Sequence, residues 1–133
     1  MSRILVADDD PDQLVASKTL LETVGYEVVV AKCPSEAFRE LERSAPGLVV
    51  MDLRFPNAAG QPDAQEGMAL IRRIREAGYR LPVIVLSGWP EDLYGQPEER
   101  MVSRIMVKPV EIPVLLETIA ELTSVSAPSR NLP

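Results

Sequence analysis

Continuous apolar runs alternate with amphipathic stretches along the chain. Ile4-Leu5-Val6-Ala7, Val28-Val29-Val30, Leu48-Val49-Val50-Met51, Val83-Ile84-Val85-Leu86 and the stretch Arg104 to Val107 read as five short strands. Between them, apolar residues recur at helical spacing. Leu14, Ser17, Leu21 and Val24 mark a first helix, opened by Asp10-Pro11 as cap and first turn and stopped by Gly25. Ala37, Phe38, Leu41 and Ala45 mark a second, ended at Pro46-Gly47, and Met68, Leu70, Ile71 and Ile74 a third, closed by Gly78. Ile112, Leu115, Leu116, Ile119 and Leu122 mark the last, with Pro113 tolerated in its first turn.

Strands that are apolar throughout predict burial on both faces, the mark of a parallel sheet sandwiched by helices. Five strands alternating with helices give an α/β chain folded as a three-layer α/β/α sandwich. Right-handed crossovers then bring all strand C-termini to one edge, where ligands bind in such folds. Two places break the rhythm. Leu53 to Gln65 reads as a loop of about thirteen residues, long for a compact domain and with few apolar anchors. Trp89 to Ser103 stands where a fourth helix belongs but carries Pro90, Gly95 and Pro97, so that helix is expected to be short or irregular, helical only near Pro97 to Met101.

The 133 residues suffice for one domain, with 46% hydrophobic and 26% charged residues. Residues 1–123 are assigned to that domain and 124–133, with two prolines and no periodicity, to a disordered tail or the start of a linker. Twenty acids against fourteen bases leave a net charge of −6, which disfavours nucleic-acid binding by this chain. Having no histidine and a single cysteine, Cys33, the chain holds no Ser-His-Asp or Cys-His centre, no intrachain disulfide and no Cys- or His-based metal site. No membrane span and no signal-peptide pattern are evident, and a cytoplasmic location is expected.

What composition leaves open, the strand ends narrow. Asp8 and Asp9 follow the first strand, Asp52 the third, Ser87 the fourth and Lys108 the fifth. Three converging carboxylates repel, and a hard divalent cation such as Mg²⁺ relieves them with oxygen ligands. A carboxylate can also accept a phosphoryl group, whose charge is then met by metal, lysine and hydroxyl. Asp, Mg²⁺, Ser and Lys together are the parts required for reversible phosphoryl transfer to a carboxylate.

The segments ILVADDDPD, LVVMDLRFP, LPVIVLSG and IMVKP, in this order, resemble a response-regulator receiver domain of two-component signalling, over residues 3 to about 123. The resemblance implies a strand order of 2-1-3-4-5. It also implies that Asp52 is the phosphoacceptor, that Asp9 ligates Mg²⁺, and that Asp8 holds a metal-bound water. Arg54 would offer its backbone carbonyl to the metal, Ser87 would hydrogen-bond the phosphoryl oxygens and Lys108 would pair with them. The Lys108-Pro109 peptide would be cis. The implied partners are a histidine kinase or phosphotransfer protein and an effector, with no enzymatic activity beyond phosphorylation and dephosphorylation of Asp52.

Each residue has a plainer reading as well. Asp10 and Asp12 fit a helix-start cluster favoured by the dipole. Ser87 before Gly88 fits a turn, Lys108 a surface lysine, and Trp89 and Arg54 either a solvent-facing or a gating role. An EF-hand starting at Asp8 is rejected, because Gln13 and Thr19 occupy its glycine and glutamate positions. Two other functions compete: a haloacid-dehalogenase-like phosphatase with Asp8 as nucleophile and Asp10 as acid, and a receiver-like interaction module without phosphate. The chain departs from the family pattern in the loop after Asp52, longer by about seven residues, in the fourth-helix region, and at Ile105, where an aromatic residue usually stands. Because Ile105 is stiff and lacks a hydroxyl, the response to phosphorylation is expected in the loops after Asp52 and Ser87, with Trp89 as reporter.

Overall fold

A computed structural model describes residues 2–129, with side-chain surroundings through 123. In chain order the elements are β1 (Arg3–Ala7), α1 (Pro11–Thr23), β2 (Glu27–Ala31), α2 (Pro34–Ser44), β3 (Leu48–Met51), β4 (Phe55–Pro56), β5 (Pro62–Asp63), α3 (Ala64–Glu76), β6 (Val83–Ser87), β7 (Arg104–Val107) and α4 (Ile112–Ser129). Two 3₁₀ turns, Pro90–Asp92 and Pro97–Met101, occupy the irregular stretch before β7. The sheet order is β2-β1-β3-β6-β7 with every pairing parallel. This is the order 2-1-3-4-5 among the five long strands, the numbering being shifted by a separate two-stranded hairpin, β4-β5.

Alternation along the strands divides the core in two. Leu5, Ala7, Val49, Met51, Val83 and Val85 face Phe38, Leu41, Leu70 and Ile74 of α2 and α3. Ile4, Val6, Leu48, Val50 and Ile84 face Leu14 and Leu21 of α1 and Leu115 and Ile119 of α4. The central strands are buried on both faces, as their composition predicts. The edge strands are not: Val30 of β2 and Val107 of β7 are exposed, because an outermost strand lacks a neighbour to close over it. Val24, counted into the first apolar face, is also exposed and falls just past the end of α1.

Helix α1 begins as expected: the Asp10 carboxylate accepts from the Asp12 N–H at 2.9 Å, and Pro11 occupies the first turn. The stretch after Asp52 differs from the expected loop. Helix α3 already starts at Ala64, capped by Asp63, whose carboxylate accepts from the Gln65 N–H. The intervening chain folds into the β4-β5 hairpin, and Leu53 and Phe55 are fully buried. The expectation of few apolar anchors is therefore corrected. Phe55 was not recognised as core because no periodicity surrounds it. Of the expected tail over 124–133, residues 124–129 continue the backbone of α4, and 130–133 lie outside the described residues. Among the described residues no helix is long and apolar enough to cross a membrane.

Candidate functional site

Parallel register places the candidate residues. Ala7 pairs with Met51 across β1 and β3, so Asp8 and Asp52, one residue further on each, leave the sheet side by side. Their backbones continue the ladder, Asp52 N–H donating to the Ala7 carbonyl at 2.9 Å and Asp8 N–H to the Ala31 carbonyl at 3.0 Å. Ser87 pairs with Val107 across β6 and β7, which puts Lys108 at the same edge. The Lys108-Pro109 peptide is cis.

Lys108 reaches across the edge. Its Nζ donates to Asp8 Oδ2 and to Asp52 Oδ2, each at 3.1 Å. The remaining oxygens are held by backbone: Asp8 Oδ1 accepts from Asp10 N–H at 3.0 Å and Asp52 Oδ1 from Leu53 N–H at 2.6 Å. Asp9 completes the group, with one carboxylate oxygen from each of Asp8, Asp9 and Asp52 lying within 4.8 Å of one another. Three hard oxygen donors so close, beside a single lysine, fit a small divalent cation such as Mg²⁺.

The electrostatics carry the same signature. Asp9 is raised above the ordinary aspartate value, first by burial and then by the charges of Asp8, Asp52 and Asp10, against a lowering hydrogen bond from its own backbone. Burial acts most strongly on Lys108 and disfavours its charge. The charges of Asp52 and Asp8, with hydrogen bonds to both, outweigh burial and raise the ammonium above its usual value. Lys108 is thus held cationic in a partly buried position.

Asp8, Asp9, Asp10, Gln13, Asp52, Arg54, Pro62, Gly88, Trp89 and Lys108 line one cavity of about 530 Å³. Four of the predicted side chains therefore converge as expected: Asp8, Asp9, Asp52 and Lys108. Arg54 lines the same cavity. Ser87 is buried and does not line the cavity; its hydroxyl accepts from the Trp89 N–H at 3.0 Å. The turn reading thus describes the present position of that hydroxyl. Asp10, the acid of the phosphatase alternative, is engaged as the cap of α1. Asp92 is the residue that sequence reasoning missed. It binds Arg54 in a two-pronged pair, Nε to Oδ2 at 2.7 Å and Nη2 to Oδ1 at 3.2 Å, across 38 positions of sequence. No periodicity marks it, since it lies in an irregular turn.

Comparison with known proteins agrees with this geometry. The family model of the response regulator receiver domain matches residues 4–120. The chain is 32% identical to the transcriptional regulatory protein GlrR of Escherichia coli K12 over 130 residues, covering 96% of this chain and 28% of that protein. It is 35% identical to the autoinducer sensor kinase/phosphatase CqsS of Vibrio cholerae over 120 residues, covering 89% of this chain and 17% of that protein. Among solved structures, the N-terminal domain of an uncharacterized protein from Wolinella succinogenes superposes with a TM-score of 0.83 at 25% identity, covering 97% of this chain and 99% of that one. The response regulator TrrA of Thermotoga maritima, solved with Mg²⁺-BeF, gives 0.79 at 24% identity, covering 92% and 99%. The chain spans well under a third of the length of these two curated relatives. It belongs to the response regulator receiver domain family, the phosphorylation-dependent receiving module of two-component signalling.

Proposed function

We propose that Asp52 accepts a phosphoryl group, from the phosphohistidine of a histidine kinase or phosphotransfer protein or from a small acyl phosphate, and that the phosphorylated domain regulates an effector. The observation that carries this reading is Lys108 bridging Asp8 and Asp52 inside a cluster of three carboxylates at the strand ends. A carboxylate oxygen of Asp52 attacks phosphorus. The P–N bond of the phosphohistidine breaks, its electron pair returns to the imidazole, and solvent supplies the proton. With acetyl phosphate the P–O bond breaks and acetate leaves.

Asp8, Asp9 and Asp52 would hold Mg²⁺, with Asp8 acting through a bound water and the Arg54 backbone carbonyl as a further ligand. The cation supplies charge neutralisation at the phosphoryl oxygens. Lys108, already cationic and aimed at Asp52, pairs with the oxygens that transfer brings in. The Ser87 hydroxyl, which accepts from the Trp89 N–H, keeps its own proton to donate toward them. The relatives named above include a transcriptional regulator and a sensor kinase, which supports a receiving module joined to different outputs and a kinase as the phosphoryl source.

Incubation with acetyl phosphate and Mg²⁺ should add one base-labile phosphoryl group by intact mass. Chelation of the metal, or Asp52→Asn, should abolish it. Phosphorylation that persists in Asp52→Asn at the wild-type level contradicts the assignment.

A further inference from the structure

The Arg54 side chain stands between two sets of acids. On one side its guanidinium grips Asp92 at 2.7 and 3.2 Å and lies 4.0 Å over the Trp89 ring. On the other, Arg54 and Trp89 line the cavity that holds Asp8, Asp9 and Asp52, whereas Asp92 does not. This pair spans the two loops that flank the site, the one after Asp52 and the one after Ser87. Among the described residues, segment 88–96 has few other ties. Asp92 N–H bonds to the Trp89 carbonyl, Leu93 N–H to Pro90 and Gln96 N–H to Leu93, all within the segment. The buried Leu93 anchors it from below. From outside the segment, Ser87 Oγ accepts from the Trp89 N–H at 3.0 Å and Glu99 Oε1 from the Gly95 N–H at 2.9 Å, both close in sequence, while the side-chain hydrogen bonds from a distant stretch of the chain are those of Arg54.

A carboxylate and a phosphoryl group are both good acceptors for the planar fork of a guanidinium. Phosphorylation of Asp52 replaces a single negative charge by a group carrying nearly two and three exposed oxygens. That change acts two residues from Arg54 and leaves Asp92 as it was. A group can shift an equilibrium only through contacts that differ between the two states, and the Arg54–phosphoryl contact exists in one of them alone.

We propose that Arg54 is a latch, tying residues 89–92 to the site through Asp92 when Asp52 is free and exchanging Asp92 for phosphoryl oxygens when Asp52 is phosphorylated. Exchange lifts the guanidinium from the Trp89 ring and releases the segment that carries Trp89, Asp92 and the exposed Tyr94. The released surface is then the one a partner reads. This inference rests on Asp52 being the phosphoacceptor. It also gives the site an output that does not need an aromatic residue at Ile105.

The test follows Trp89 fluorescence and amide exchange over residues 88–96 in the full chain, with phosphoryl occupancy of each sample read by mass. In the wild type, phosphorylation should shift the fluorescence and speed exchange over 89–96 by roughly two- to fivefold, the scale of losing a partly exposed ion pair. Asp92→Asn should show the shifted fluorescence and the faster exchange before any phosphodonor is added, with little further change after it. The latch is overturned if mass confirms the phosphoryl group while wild-type exchange and fluorescence stay as they were. It is overturned equally if unphosphorylated Asp92→Asn behaves as the wild type and still responds in full. The wild-type comparison decides even if the variant does not fold. A wild-type sample that never gains a phosphoryl group refutes the phosphoacceptor reading itself, and the latch with it.

Discussion

Gly67 shows how closely single residues set the geometry at Asp52. It sits inside α3, where glycine is ordinarily unfavourable. A β-carbon there would lie 2.2 Å from the Leu53 carbonyl oxygen and 2.7 Å from its Cα. The Gly67 N–H also bonds to that carbonyl at 3.0 Å. Leu53 follows Asp52 directly, so α3 and the end of β3 are locked together through a glycine. Gly67→Ala should cost about 1–3 kcal/mol, the scale of overpacking, read as a lower melting point. It should also weaken metal binding, because Leu53 N–H positions Asp52 Oδ1. Unchanged melting would mean that α3 moves away freely. Asp9 makes the opposite point. Its raised proton affinity means that stability of the metal-free protein is fully present below the ordinary aspartate value of 3.8 and is lost as pH rises through the folded value. Asp9→Asn should therefore stabilise the metal-free protein at pH 7 by a few tenths to about 1 kcal/mol, since solvent screens a largely exposed group. At pH 3 it should have no effect. Added Mg²⁺ should stabilise the wild type and not the variant; chemical denaturation at the two pH values checks both.

The element that departs most from regular structure is the one between β6 and β7. Two 3₁₀ turns replace a helix there because Pro90 and Pro97 lack a backbone N–H and fix their own φ, while Gly95 takes a left-handed φ of 80° that breaks a helix. The second turn is held to α3 by an ion pair between an exposed guanidinium and a buried carboxylate, Arg72 Nη1 to Glu98 Oε2 at 2.6 Å. The hydrogen bond from Arg72 holds Glu98 below the ordinary glutamate value of 4.5. A depressed carboxyl contributes stability that is present above that value and lost as pH falls through the folded one. Glu98→Gln should thus lower stability by about 1 kcal/mol at pH 7, discounted for the exposure of Arg72, and by less at pH 3. Equal loss at both values would mean that packing, not charge, is what Glu98 supplies. This segment also marks where sequence reading ends. Proline and glycine positions foretold irregularity and the turn near Pro97, but neither Asp92 nor Glu98 announced its partner. Pairings across 38 and 26 positions leave no periodic trace. The buried Leu53 and Phe55 were missed for a related reason, as isolated apolar residues in a stretch dominated by turn formers.

Across the whole molecule, the readable part was the part that repeats. Five apolar runs with helices between them imply a sandwich, and parallel register then carries Asp8, Asp52 and Lys108 to one edge without further information. Residues placed by strand ends, such as these, were found. Side-chain orientation was not: Ser87 ends the right strand yet turns its hydroxyl to its own loop. The fold therefore holds the proposed phosphorylation site in an arrangement with Lys108 compensating two carboxylates and Arg54 committed elsewhere. The most direct test of that account is to locate the phosphoryl group. Borohydride reduction of the acyl phosphate, followed by peptide mapping, should place a single homoserine at position 52 after treatment with acetyl phosphate and Mg²⁺. Homoserine at position 8 would contradict the account and favour a phosphatase-like nucleophile, and its absence from every aspartate would contradict phosphorylation altogether.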